Sequence, residues 1–92
     1  MHAILVSVNI EPGHDEEAQA QLESNVVPMV KQAPGVISGY WMRSSDGQHS
    51  SSVVLFENED TARAAADMVP NTPRPDFITL DPIEVREVVA HF

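Results

Sequence analysis

The 92-residue chain has no cysteine, which excludes disulfide staples, thiol nucleophiles and cysteine-based zinc or iron–sulfur sites. Stability has to come from packing. Positive charge is scarce: five Lys and Arg stand against 14 Asp and Glu, a formal net charge of −9. That balance opposes the phosphate-neutralising contacts behind nucleic-acid affinity and repels an anionic membrane surface. No apolar run approaches the ~20 residues needed to cross a bilayer. Aromatic residues make up 5% of the chain, so the 42% that is apolar builds a core mainly from Val, Ile, Leu, Met and Ala. The four His residues are scattered, with no second His three or four positions away on a helical face, and no metal site is expected. The N-terminus shows neither the basic region nor the small-residue cleavage site of a secretory signal. The expectation is a soluble, cytoplasmic protein with no nucleic-acid or membrane partner.

What is present reads as a single domain over residues 1–92. Ile4, Val6, Val8 and Ile10 alternate with Leu5, Ser7 and Asn9, predicting a first strand over 3–10. After Pro12-Gly13, Asp15, Glu16 and Glu17 mark the start of a helix with an apolar stripe at Ala18, Leu22, Val26, Met29, Val30 and Ala33. Pro28 interrupts it, predicting a kink or a restarted final turn. Pro34-Gly35 ends it. A second strand is predicted over 36–43, an Asp46-Gly47 hairpin turn follows, and a third strand runs from about His49 to Glu57. Asn58 is a candidate cap for a second helix that Pro70 stops. The proline-rich stretch from Pro70 to Pro82 is expected to be irregular, either a lid or a plain connection, and a fourth strand is predicted over 83–92.

The order β-α-β-β-α-β is that of a ferredoxin-like α+β fold, four antiparallel strands with two helices on one face. Leu5, Tyr40, Met42 and either Val53 or Val54 occupy the other face, which one short chain cannot cover, so a homodimer is expected.

With Ile10-Glu11-Pro12-Gly13 closing the first strand, Pro28 inside the helix, Pro34-Gly35 opening the second strand and Phe56-Glu57-Asn58-Glu59-Asp60 joining strand to helix, the chain resembles the dimeric α+β barrel proteins, in particular antibiotic-biosynthesis-monooxygenase-like domains. The resemblance covers nearly all of residues 3–92. It implies a dimeric barrel and a small-molecule cavity between helices and sheet. It also implies one of several activities, cofactor-independent oxidation of polycyclic phenols and haem degradation among them. The haem-degrading branch uses a strand Asn, a strand-closing Trp and a helix His; at the matching places this chain has Val6, Phe56 and a His-free segment from Asp60 to Val69, so haem breakdown is disfavoured.

The phenol-oxidising branch implies polar and aromatic groups around an electron-rich ring. Trp41 is the candidate to stack on the substrate, Arg43 to stabilise a phenolate and His49 to take its proton. Each also has a structural reading: Trp41 as a core residue, Arg43 as the solvated end of a strand, His49 as an exposed residue after a turn. Two functions stay open, a cofactor-independent monooxygenase acting on a small aromatic or polyketide-type molecule, and a non-catalytic small-ligand-binding or accessory module.

Overall fold

Alternation makes β1 (His2–Ile10) the spine of the sheet, with Ile4, Val6, Val8 and Ile10 turned toward the first helix and Leu5, Ser7 and Asn9 facing away. A computed structural model describes residues 1–92. The first helix runs through three consecutive segments: α1 (Asp15–Gln21), a π-helical turn (Leu22–Val26) and α2 (Val27–Lys31). Pro28 explains the division. It has no N–H to give the Ser24 carbonyl, so the helix widens for one turn, the Val27 N–H donates to the Leu22 oxygen, and Pro28 falls in the first turn of α2, where a missing donor costs little.

Gly35 then reverses the chain at φ +75°. A side chain there is doubly opposed, since its Cβ would lie 2.8 Å from Thr61 Oγ1. β2 (Val36–Arg43), bulged between Val36 and Ser38, pairs with β3 (His49–Phe56), and β3 pairs with β1. The connecting turn is closed by the Ser44 N–H on the His49 oxygen (2.9 Å) and by Asp46, whose Oδ1 accepts from Ser44 Oγ (2.6 Å) and the Gln48 N–H (2.9 Å). α3 (Glu59–Met68) starts at Asn58, whose Oδ1 accepts from the Thr61 N–H at 2.9 Å, and ends in a 3₁₀ turn (Val69–Asn71).

Two short strands, β4 (Ile78–Leu80) and β5 (Glu84–Glu87), share the remaining edge of β1. β4 pairs with Val8–Ile10 and β5 with His2–Leu5. The sheet is therefore five-stranded and antiparallel throughout, in the order β2-β3-β1 with β4 and β5 beyond, and two helices cover one face. This is the ferredoxin-like fold with its last strand split at Pro82.

Two expectations need correction. The stretch 70–82 contains β4, because Ile78–Leu80 lie clear of the prolines and find free ladder positions on β1. The strand expected over 83–92 ends at Glu87: Glu87 pairs with His2, the first residue of β1, and the Val88 N–H donates to the Met1 oxygen.

Ile4, Val54, Phe56 and Ala62 form the core between sheet and α3, flanked by Val30, Ala33, Val36, Ile83 and Val85. The chain exposes 6047 Å², whereas a monomeric protein of this mass typically exposes about 5,300 Å². The helix-free face contributes, with Tyr40 63% and Met42 51% exposed. No helix is long and apolar enough to cross a membrane.

Candidate functional site

Three strands supply the floor of a cavity under the first helix. β1 gives its four alternating aliphatic residues, β3 gives Ser50, Ser52 and Val54, and β2 gives Trp41 and Arg43. Leu22, Val26, Met29 and Val30 form the roof, and residues 72–75 stand at one side. The volume of this partly open cavity is about 370 Å³, within the range that takes a small organic ligand. The π-helical turn sits over this space and carries Leu22, Asn25 and Val26 into the lining.

Trp41 owes its placement to Gly39, two residues earlier on the same face. A Cβ at Gly39 would come within 2.9 Å of the indole Cη2, so only glycine lets the ring lie back along β2. The same ring packs on the core cluster, so Trp41 joins the two sequence-based readings: core residue on one side, cavity wall on the other.

Arg43, half-buried at the end of β2, donates from Nη1 to the Asp15 carbonyl at 3.4 Å, while its buried Nε has no partner. No Asp, Glu or His lines the cavity. Ser50 Oγ donates to the Met42 oxygen (3.2 Å) and Ser52 Oγ to the Val6 oxygen (3.4 Å), which leaves both buried hydroxyl oxygens able to accept.

His49 does not join Trp41 and Arg43, which corrects the sequence-based grouping. The cavity-facing residues of β3 are the even-numbered ones, and His49, opposite Asn9, lies on the helix-free face. There its Nδ1–H donates to Asn9 Oδ1 at 2.7 Å, and Asn9 Nδ2 donates to Asp81 Oδ1 at 3.1 Å. A carboxylate only accepts, so the amide nitrogen must face Asp81 and its oxygen the imidazole; Nε2 is left as the acceptor of the neutral ring.

The sequence pattern does not single out Ser50, Ser52 or Arg74. For the serines a signal existed, since they share parity with buried Val54 and Phe56. Arg74 reaches the cavity through a proline-rich segment without periodicity.

Two carboxyls lie below their usual range, both outside the cavity. Asp46 is held down by the Ser44 hydroxyl and then the Gln48 N–H, and Glu59 by its hydrogen bonds from Arg63.

The sequence pattern of the family described as antibiotic biosynthesis monooxygenase matches residues 1–67. The chain belongs to that family. Among solved structures this family member superposes on the heme-degrader MhuD of Mycobacterium tuberculosis, determined with two hemes bound, at 16% identity and a TM-score of 0.74, covering 100% of this chain and 99% of that one. It is likewise similar to SnoaB, a cofactor-independent oxygenase of Streptomyces nogalater (12% identity, TM-score 0.68, 98% and 95% covered). A third is the ActVA-Orf6 monooxygenase of Streptomyces coelicolor in complex with nanaomycin D (14%, 0.60, 99% and 90%). At these identities the likeness is one of fold. No curated protein matches the chain by sequence.

Proposed function

We propose that this family member is a cofactor-independent monooxygenase-type protein that takes a small aromatic or polyketide-type molecule into the cavity over Trp41 and Arg43. The observation that carries the reading is the cavity itself, with an indole wall, a half-buried guanidinium and two buried serine oxygens in mainly apolar surroundings. A hydroxylated ring is recognised by such a set: Trp41 covers its face, Arg43 favours its ionised oxygen, and the serines accept from its hydroxyls.

For an anthrone-type substrate, loss of a ring-methylene proton to solvent hydroxide gives a delocalised anion with its charge on the oxygen beside Arg43. The anion passes an electron to O2, the radicals combine at the ring carbon, and the resulting hydroperoxide, once protonated, loses water to leave a carbonyl. One oxygen atom enters the product and the other leaves as water. With no carboxylate or imidazole in the lining, Arg43 acts by lowering the pKa of the substrate, and His49 takes no part.

Haem breakdown is less well supported. Val6 lines the cavity, Phe56 is buried in the core at 1% exposure, and no His reaches the lining. The lack of any base in an aliphatic cavity does favour one second reading, a binding module that holds the same ligand without turnover.

An oxygen-electrode screen of anthrones and hydroquinones, without added flavin, haem or metal, separates the two. The oxygenase reading expects O2 uptake above the buffer blank, rising with pH toward the ionisation of the substrate. Arg43→Ala should lower uptake roughly ten- to a hundredfold, the worth of one hydrogen bond to a charged group. Binding without uptake would establish the module instead.

A further inference from the structure

The four arginines divide into two kinds. Arg63 and Arg86 lie outside the cavity and are paired, Arg63 with Glu59 at 2.6 Å and Arg86 with Glu84 at 2.9 Å. Arg43 and Arg74 line the cavity and have no carboxylate partner. Arg43 has one long bond to the Asp15 carbonyl and a buried Nε without any. Arg74 makes two bonds of 3.4 Å, to the carbonyls of Pro70 and Thr72 in its own segment. Bonds of that length are weak and readily exchanged for better ones.

In a chain with 14 acidic residues against five basic ones, the lining holds these two cations and no anion. Arg43 is half-buried with an unpartnered Nε, and Arg74 is exposed on the segment at the side of the cavity, so both guanidiniums keep donors free for an anion that the protein itself does not supply.

We propose that the cavity selects an apolar, ring-sized ligand bearing an anionic group such as a carboxylate, held by Arg43 from the sheet and Arg74 from the segment at the side of the cavity. The inference rests on the proposed function only in taking this cavity as the ligand site; it holds for an oxygenase and for a binding module alike. It adds a requirement on ligand charge, since an aliphatic cavity alone would favour the neutral form of any aryl compound. The net charge of −9 acts against an approaching anion, so a preference for the anion can only arise inside the cavity.

Trp41, the single tryptophan, lies in the cavity wall and reports occupancy without turnover. The test titrates the full chain with anthraquinone-2-carboxylate and with the uncharged anthraquinone-2-carboxamide, following quenching of Trp41 emission. The carboxylate is expected to bind at least about tenfold more tightly than the amide, the usual advantage of a charge-assisted hydrogen bond. Arg74→Gln, in an exposed segment where folding is not at stake, should bring the ratio near one, and Arg74→Glu should invert it. Arg43→Gln should act in the same direction as Arg74→Gln, whereas Arg63→Gln, outside the cavity, should leave the ratio unchanged. Equal affinities for the two probes, or an unchanged ratio in Arg74→Gln, would overturn the charge selection and leave the cavity as an apolar site. If neither probe quenches Trp41, the cavity is not the ligand site and both readings fall; if the carboxylate binds selectively and no substrate consumes O2, only the oxygenase reading falls.

Discussion

Gly39 and Gly35 show how much of the site depends on side chains that are not there. Gly39→Val would drive a branched side chain into the Trp41 ring, displacing the cavity wall while the backbone remains compatible with a strand. The expected outcome is a folded protein with altered Trp41 emission and weakened ligand binding, read by fluorescence and circular dichroism together. Gly35→Val acts on stability instead. It places a β-branched residue at φ +75° and presses it against Thr61, so a loss of about 2 kcal/mol or more is expected, visible as a lowered thermal midpoint. At the same scale, Val6 and Phe56 and the His-free lining argue that haem mixed with the protein and a reductant keeps its Soret band. Progressive loss of that band would show the reading of those positions to be mistaken.

Among the elements, the β2–β3 hairpin carries its own acid sensitivity. The Asp46 carboxyl lies below its ordinary value of 3.8 because its charged form accepts from Ser44 and Gln48. Its contribution to the turn is complete above 3.8 and is lost as the pH falls through the lower, folded-state value. NMR titration should place the Asp46 midpoint below 3.8, and Asp46→Asn should abolish that step. A midpoint at or above 3.8 would mean that the turn is closed without the carboxylate.

The hairpin, both helices, the Asn58 cap and the first three strands were legible in the sequence, because periodicity, charge at a helix start and an Asp-Gly pair are local signals. Three things were not. β4 was hidden because three residues carry no period of their own and exist through β1. The end of β5 depends on where β1 begins, a tertiary fact. The face occupied by His49 was obscured because Val53 and Val54 make both parities of β3 apolar; the parity of Phe56, the most buried large side chain, decides it.

As a whole, the molecule exposes more surface than its mass warrants, and the excess over the typical monomer is close to the ~800 Å² that each partner commonly gives to a stable interface. A homodimer through the helix-free face is therefore expected, with Tyr40 and Met42 at its centre. Light scattering at micromolar concentration and moderate salt should return twice the 10.1 kDa of one chain, and Met42→Asp should return that mass once. A wild-type monomer under those conditions would leave the exposed face without this explanation. Within the single chain, β4 has a consequence for time rather than structure. The segment carrying Arg74 joins the sheet through three register pairs, with the Phe77 ring stacked on His14 at 4.5 Å, while β3 and β1 share eight. Such a short seam opens by local unfolding far more often than the domain unfolds, so the amides of Ile78–Leu80 should exchange with solvent ahead of those in β3. The opening rate of that seam would then set how quickly a guest enters and how long it stays.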